Sequence, residues 1–251
     1  MTSPWFTNSA ARNPGAEWRL FCFPFAGGSG HEFRTWGEQL PNVEVLGVLY
    51  PGRSSRYKTP LIDNLADMVA ALQGEVDAYQ DKPFAFFGHS LGALIAFELT
   101  RSLRKAGKPL PRLLCVSACD APHLLPVPPI LHNLPDEDFI QAIRGFGGTP
   151  EAILNHQELL AMLLPVLRAD LKVLETYQYQ QEPPLNIPLY IAGGANDSVV
   201  IKENLLAWEQ YAIGRRESQF FTGGHFYFRE NQDSPLFPYL RTMLTQGIMS
   251  S

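Results

Sequence analysis

Apolar runs of strand length alternate along this chain with longer amphipathic stretches, a pattern that predicts strands alternating with helices. Glycine, proline and small polar residues bound these runs and mark the turns between elements. Alternation of this kind indicates an α/β fold with a mostly parallel central sheet flanked by helices. Strands are predicted at 18–23, 43–50, 84–87, 113–118, 187–192 and 216–221. Helices are predicted at about 32–40, from a cap at Asp63 to about Tyr79, and at about 91–106, 201–211 and 233–247.

The alternation breaks between the fourth and fifth predicted strands. Residues 120–134 are proline-rich and apolar, and helical stretches follow at about 136–144, 151–154 and 156–179. Insertions of this length are often lids or binding elements, and the apolar faces of this one would cover a hydrophobic channel. A helical decoration without function is the alternative. We therefore predict one domain over residues 1–251 with a helical lid insertion at about 121–179.

Composition narrows the function classes. The 251 residues carry a net charge of −5 and no basic run interleaved with aromatic residues, so nucleic-acid binding is not predicted. No apolar run has the length of a membrane span, and residues 1–14 lack the apolar core of a signal peptide, so we expect a cytoplasmic protein with no membrane partner. Three cysteines, Cys22, Cys115 and Cys119, suit a reducing compartment and lack the paired spacing of a zinc site, so no metal is expected.

The strongest chemical signal is Gly88-His89-Ser90-Leu91-Gly92, which has the pattern G-x-S-x-G. A predicted apolar strand precedes it and a predicted helix follows, which is the context of a nucleophile elbow. At such a turn the serine backbone is strained and its hydroxyl projects above the sheet edge. We interpret Ser90 as a candidate nucleophile and expect the His89 side chain to point away from that of Ser90. A glycine-rich turn with a chance serine is the alternative.

A serine hydroxyl is a poor nucleophile until a base takes its proton. In α/β-hydrolases the nucleophile, acid and base follow in the order Ser, Asp or Glu, His, on loops after strands. Among six histidines, His225 is the good candidate base because it follows the last predicted strand, and Asp197 follows the strand before it. We therefore predict a triad of Ser90, Asp197 and His225. Asp120, which follows an earlier strand, is the rival acid.

Two backbone N–H groups are predicted to bind the negative oxygen of a tetrahedral intermediate. One belongs to Leu91, at the start of the helix after Ser90, and the other to Ala26, in the loop at 24–30. The glycine spacing of that loop fits neither common phosphate-binding motif, so we interpret residues 24–30 as an oxyanion loop. The predicted chemistry is acyl transfer to Ser90 and hydrolysis of the acyl-enzyme by water.

Five segments of the chain together resemble the type II thioesterases, the stand-alone editing enzymes of non-ribosomal peptide and polyketide synthesis. They occur in the order and spacing of that family and span nearly the whole chain: CFPFAGG (22–28), YPGR (50–53), FGHSLGA (87–93), GGAND (193–197) and GGHF (223–226). LLPVLRAD (163–170) also resembles the family's segment after the lid helices. The resemblance implies an α/β-hydrolase fold, here with its usual first hairpin missing or reduced.

The resemblance also implies the substrate and the partner. The substrate would be an acyl group on the 4′-phosphopantetheine arm of an acyl or peptidyl carrier protein, and hydrolysis would remove aberrant or misprimed units. The chain itself would need no cofactor and would act as a monomer. Carrier proteins of the family tend to be acidic, so we expect a local basic patch to dock them. Arg53, Arg56 and Lys58 are the candidates, and a solvated loop is the alternative.

Other functions use the same residues. A chain-releasing fatty acyl thioesterase or a general carboxylesterase would need the same triad and oxyanion loop. A non-catalytic carrier-binding protein belongs to a different class, and the intact set of Ser90, Asp197 and His225 argues against it.

Overall fold

A six-stranded parallel sheet in the order β2-β1-β3-β4-β5-β6 forms the centre of the computed structural model, which describes residues 3–7, 15–229 and 235–249. The strands are β1 (Trp18–Phe23), β2 (Val43–Gly47), β3 (Phe84–His89), β4 (Leu114–Ser117), β5 (Leu189–Gly194) and β6 (Arg216–Phe221). Every predicted strand is present, and the α/β prediction is confirmed. Because the strands are parallel, their carboxyl ends share one edge of the sheet.

Eight α-helices lie in the described part of the chain: α1 (Trp36–Gln39), α2 (Leu65–Asp77), α3 (Leu91–Lys105), α4 (Asp136–Phe146), α5 (Glu151–Leu154), α6 (Gln157–Glu175), α7 (Lys202–Leu206) and α8 (Leu236–Met249). The predicted start of the last helix, at 233, lies outside the described residues. None of the helices in the described ranges is long and apolar enough to cross a membrane.

Two predicted helices are shorter than the apolar spacing indicates. The stretch at 32–40 is a 3₁₀ turn, Gly30–Phe33, followed by the single turn of α1. The stretch at 201–211 is α7 followed by a 3₁₀ segment, Ala207–Tyr211. Buried residues three apart, such as Phe33 and Trp36, fit a 3₁₀ turn as well as an α-helix, so the spacing alone did not separate the two.

The predicted N-cap of α2, Asp63, was wrong by one residue. Asn64 is the N-cap, and its side chain accepts a hydrogen bond of 2.9 Å from the Asp67 N–H. Asp63 instead forms an ion pair of 2.6 Å with Lys172 of α6. Asparagine and aspartate cap helices about equally well, so a tertiary partner for Asp63 decided between the two neighbours.

Both faces of the sheet are buried. On one face, Phe21 and Phe86 pack with α2 and α3, and on the other Cys22 and Phe87 pack with α1 and α8. The alternation of side chains along each strand distributes neighbouring apolar residues to the two cores. Cys22, Cys115 and Cys119 are buried free thiols within these cores.

The segment between β4 and β5 forms a small apolar core of its own, above the carboxyl edge of the sheet. Its buried members are Leu131, Phe139, Ile143, Leu154, Leu167 and Leu171. Helix α6 packs directly on the oxyanion loop, because a Cβ placed on Gly27 would lie 2.5 Å from Leu167 Cδ2. The helices of the predicted insertion therefore cover the loop that follows β1, whereas the role of the insertion as a lid stays a prediction.

Near the N-terminus, Phe6 forms an isolated antiparallel bridge with Val48, beside the end of β2. The bridge joins residues 3–7 to the chain just after β2, and the missing or reduced first hairpin stays a prediction. Residues 1–2 and 8–14 lie outside the described residues.

Candidate active site

Ser90 occupies the sharp turn between β3 and α3. Its backbone has φ 55° and ψ −122°, a conformation that costs a residue with a Cβ about 1–3 kcal/mol. The Ser90 N–H donates a hydrogen bond of 2.8 Å to the Ser117 carbonyl at the end of β4, which ties the turn to the sheet. The strained, anchored serine is the geometry expected of a nucleophile elbow.

The two glycines of the elbow are required by close backbone approach. A Cβ on Gly88 would lie 2.2 Å from the Gly92 carbonyl oxygen, and one on Gly92 would lie 2.1 Å from the Phe23 carbonyl oxygen. Such contacts are shorter than any real Cβ contact, so a larger residue would force the backbone apart. The elbow therefore packs α3 against β1 as well as exposing Ser90.

Asp197 and His225 meet on the loops that follow β5 and β6. His225 Nδ1 lies 2.9 Å from Asp197 Oδ2, and the two side chains are 7% and 4% exposed. The other carboxylate oxygen, Oδ1, accepts hydrogen bonds from the Val199 and Val200 N–H groups. With Nδ1–H donating to Asp197, the lone pair of Nε2 is left free to accept a proton.

The electrostatics favour an ionised Asp197. Burial alone would raise its pKa, but the hydrogen bond and charge of His225 and the two backbone N–H groups outweigh burial and hold the pKa below its usual value. An ionised carboxylate is the form that fixes the tautomer of an imidazole and stabilises an imidazolium.

Asp120, the rival acid, is buried nearby without a bond to the imidazole. Its Oδ1 has no hydrogen-bond partner in the described part of the chain. Burial raises the pKa of Asp120, and the Asp197 charge raises it further, against a hydrogen bond with Asn204. The structure therefore brings Asp197, and not Asp120, to His225 Nδ1.

Ser90 and His225 line two cavities that meet at this edge of the sheet. One cavity, of about 370 Å³, has walls from the oxyanion loop and α6, including Ala26 and Leu167. The other, of about 450 Å³, lies beside Asp120 and the proline-rich segment 125–129. Both are lined mainly by apolar side chains, with Leu171 and Leu174 of α6 in the wall of each. The site can therefore hold apolar groups on two sides of Ser90.

The predicted oxyanion donors occupy suitable elements. Leu91 is the first residue of α3, where an N–H has no acceptor within the helix. Ala26 lines the first cavity, and the next residue, Gly27, has φ +76°. The assignment of these two N–H groups as oxyanion donors stays a prediction.

A buried polar network beneath His225 was missed from the sequence. His89 Nδ1 lies 2.8 Å from Ser117 Oγ, which lies 2.8 Å from the Tyr227 hydroxyl. The His89 ring packs 5.2 Å from the His225 ring, and burial, together with the nearby His225 and Arg229, lowers the pKa of His89 well below its usual value. The neutral ring of His89 therefore packs beside the ring of His225, the candidate base. Only its apolar strand context hinted that it would be buried.

Comparison with known proteins decides the family. The profile described as Thioesterase domain matches residues 18–237 of the chain. The chain belongs to the thioesterase family. This thioesterase is 38% identical over 229 residues to the gramicidin S biosynthesis protein GrsT of Aneurinibacillus migulanus, covering 91% of this chain and 89% of GrsT.

Other proteins similar to this chain are also thioesterases. The structure is similar to that of the type II thioesterase BorB from the borrelidin biosynthetic cluster, with a TM-score of 0.86, 33% identity and coverage of 96% of this chain and 98% of BorB. The thioesterase is also 33% identical to the medium-chain S-acyl fatty acid synthase thioesterase of Rattus norvegicus, covering 88% of this chain and 85% of that protein. The predictions of an α/β-hydrolase fold and of a thioesterase are confirmed, as is the resemblance to type II enzymes.

The basic patch predicted for docking is wrong, because two of its three cations are inside the thioesterase. Arg53 and Arg56 are each 8% exposed. Arg53 pairs with Asp170 of α6, and Arg56 donates to the Leu49 carbonyl at 2.7 Å while its guanidinium lies 3.8 Å from the Trp5 ring centre. Only Lys58 of the three is exposed. Arg53 and Arg56 were predicted to be surface charges, but Asp170 and Trp5, which are distant from them in the sequence, pack against them and bury them.

Proposed function

We propose that this thioesterase hydrolyses acyl groups from the 4′-phosphopantetheine arm of carrier proteins. By this proposal it removes aberrant or misprimed units in non-ribosomal peptide or polyketide synthesis. The observation that carries the chemistry is the 2.9 Å contact between His225 Nδ1 and Asp197 Oδ2. His225 lines the same cavity as Ser90, whose backbone is strained. The similarity to GrsT and BorB supports the carrier-bound substrate. We place the protein in the cytoplasm as a monomer, where its three free thiols suit a reducing environment.

The first half of the proposed reaction forms an acyl-enzyme. His225 Nε2 takes the proton of the Ser90 hydroxyl as Oγ attacks the thioester carbonyl. The carbonyl oxygen becomes an oxyanion that accepts hydrogen bonds from the Ala26 and Leu91 N–H groups, each of which is worth roughly 3–4 kcal/mol. The intermediate collapses as the C–S bond breaks, and the pantetheine sulfur leaves with the proton from His225.

The second half hydrolyses the acyl-enzyme. His225 takes a proton from water, whose oxygen attacks the acyl carbon, and then returns that proton to Ser90 Oγ as the C–O bond breaks. The products are a carboxylic acid and the free enzyme. Throughout, Asp197 stabilises the imidazolium. The chain needs no cofactor of its own, because the phosphopantetheine belongs to the substrate. The two cavities would hold the acyl group and the end of the arm on opposite sides of Ser90.

A chain-releasing function in fatty acid synthesis is the second candidate. The apolar cavity walls and the similarity to the rat medium-chain enzyme favour it. It uses the same triad and differs only in preferring longer acyl chains.

Hydrolysis of acetyl-phosphopantetheinyl carrier protein tests the proposal. We expect rapid release by the wild type and by the exposed control Ser55→Ala, and a loss of at least about 10³-fold in kcat for Ser90→Ala. Parallel assays with a decanoyl carrier and with p-nitrophenyl acetate separate the other functions. A strong preference for the decanoyl carrier would favour fatty acyl release, and fast cleavage of the oxygen ester alone would favour a carboxylesterase.

A further inference from the structure

A buried ion pair joins helix α6 to the loop after β2, next to the active site. Arg53 Nη1 lies 2.5 Å from Asp170 Oδ2, and Arg53 Nη2 lies 2.6 Å from Asp170 Oδ1. The Asp170 side chain is 0% exposed and that of Arg53 is 8% exposed. The two-bond geometry fixes the relative orientation of the guanidinium and the carboxylate.

The same pair holds the oxyanion loop. Asp170 Oδ2 also accepts a hydrogen bond of 2.7 Å from the Gly27 N–H, and Arg53 Nη1 donates one of 3.2 Å to the Gly28 carbonyl. Gly27 and Gly28 are the two residues after Ala26, the predicted oxyanion donor. Tyr50, whose ring lies 5.3 Å below the Arg53 guanidinium, extends the contact by donating its hydroxyl to the Pro24 carbonyl.

The pair leaves little orientational freedom to the loop. The Gly27 N–H is committed to Asp170, so it points toward α6 and is not available to an oxyanion. The peptide group of Gly27 is separated from the Ala26 N–H only by the two backbone rotations of Ala26. Gly27 has φ +76°, and a Cβ placed on it would lie 2.5 Å from Leu167 Cδ2. Asp170 and Leu167 of α6 therefore hold the loop at Gly27, and Arg53 holds it at Gly28.

Stability alone does not account for a buried ion pair. Packed apolar residues of similar volume often stabilise a protein as well as a buried ion pair does, or better. An apolar pair, however, could not accept the Gly27 N–H or donate to the Gly28 carbonyl. Arg53 and Asp170 make directional hydrogen bonds to the oxyanion loop, which apolar residues cannot make.

We propose that Arg53 and Asp170 are positioning residues that hold the oxyanion loop from α6, with the Ala26 N–H aimed at the developing oxyanion. This inference rests on the proposed function. By this inference α6 is part of the catalytic scaffold, and any lid movement is confined to the remainder of the segment 121–179. Removing the pair should weaken binding of the transition state while leaving binding of the substrate nearly unchanged.

The first test is Asp170→Asn, which keeps the side-chain size and removes the charge. We expect kcat for the acetyl carrier to fall about 10–100-fold with KM changed less than about threefold. A trifluoromethyl ketone analogue of the acyl group forms a hemiketal oxyanion on Ser90, so its inhibition constant should rise by a similar factor. Affinity for a non-hydrolysable thioether analogue of the substrate should not change. The matched control is Asp136→Asn in α4, which removes an exposed ion pair with Arg168 of α6, the helix that carries Asp170. It should leave all three values at wild type.

A second variant separates positioning from folding. Arg53→Met combined with Asp170→Leu replaces the pair by apolar side chains, and we expect it to fold with a Tm near that of the wild type. It should still show the low kcat and the weak ketone binding. A folded double variant with wild-type kcat and wild-type ketone affinity would overturn the proposal, as would equal losses in ketone and thioether binding.

These measurements remain informative if the carrier is not the substrate. Should the wild type cleave only p-nitrophenyl acetate, the proposed function fails, yet the ketone affinity and the kcat for that ester still report on the oxyanion loop. Conversely, wild-type kcat and ketone affinity in the folded double variant would refute the positioning role without contradicting carrier hydrolysis.

Discussion

At the scale of single residues, the site depends on which carboxylate reaches the imidazole. Asp197 and Asp120 follow neighbouring strands, β5 and β4. Asp120 is buried, and the Asp197 side chain is only 4% exposed beside His225. The pKa of Asp197 is lowered and that of Asp120 is raised, because only Asp197 receives the imidazole N–H and two backbone N–H groups. Local hydrogen bonding, rather than position along the chain, divides the two acids.

The corresponding prediction compares two substitutions of equal size. Asp197→Asn should lower kcat for thioester hydrolysis by about 10³–10⁴-fold, because the amide favours the wrong tautomer of His225. Asp120→Asn should lower kcat less than about tenfold, because it bonds neither the base nor the nucleophile. Steady-state kinetics on the acetyl carrier checks both. A larger loss for Asp120→Asn would make Asp120 the acid of the triad.

At the scale of elements, close backbone approach decides how α3 sits on the sheet. Gly92 lies in the first turn of α3, and a Cβ placed on it would lie 2.1 Å from the Phe23 carbonyl oxygen at the end of β1. This contact places the start of α3, and with it Ser90, next to the oxyanion loop that begins at Pro24. Because Gly92 has no Cβ, α3 can approach β1 closely enough to place Ser90 beside the oxyanion loop.

Two glycine-to-alanine changes within helices test this account. Gly92→Ala should destabilise the fold by about 2–3 kcal/mol, because backbone atoms of β1 must move to admit a methyl group. Gly74→Ala, on the exposed side of α2, meets nothing within 4 Å and should stabilise the fold by about 0.5–1 kcal/mol. Urea unfolding of the two variants provides the measurement. If both changes stabilised the protein, the close approach at Gly92 would be wrong.

At the scale of the whole molecule, charged side chains join distant parts of the chain. Glu182, which lies between α6 and β5, contacts Arg101, Arg104 and Lys105 at the end of α3. Burial would raise its pKa, but the three cationic partners outweigh burial and lower the pKa from 4.5 to about 2. These ion pairs join the chain between α6 and β5 to the end of α3, on one face of the sheet.

A dependence of stability on pH follows. Because the folded-state pKa of Glu182 lies below the unfolded value, its contribution is complete above pH 4.5 and is lost as pH falls toward 2. Glu182→Gln should lower the free energy of unfolding by about 1 kcal/mol at pH 7 and by less at pH 3. Exposed Glu209→Gln is the control and should show no such difference. Equal losses at pH 7 and pH 3 would assign the effect of Glu182 to packing.

How much was predictable differs between fold and site. The six strands, the elbow and the order of Ser90, Asp197 and His225 were found from the sequence because each depends on local chemistry: apolar periodicity, glycine beside serine, and polar residues directly after strands. Helix ends were less predictable, as Asp63 shows, because neighbouring residues with equal capping propensity are separated only by distant contacts such as that with Lys172.

The sequence by itself determined the fold class, the parallel layout and the candidate triad, because these follow from short-range patterns repeated along the chain. Only the tertiary structure decided that Arg53 and Arg56 are buried. Arg53 lies 117 positions from Asp170 in the chain, and no local pattern connects them. Burial and pairing arise between elements that meet only after folding, so a cation predicted to dock a partner instead holds the loop beside Ser90.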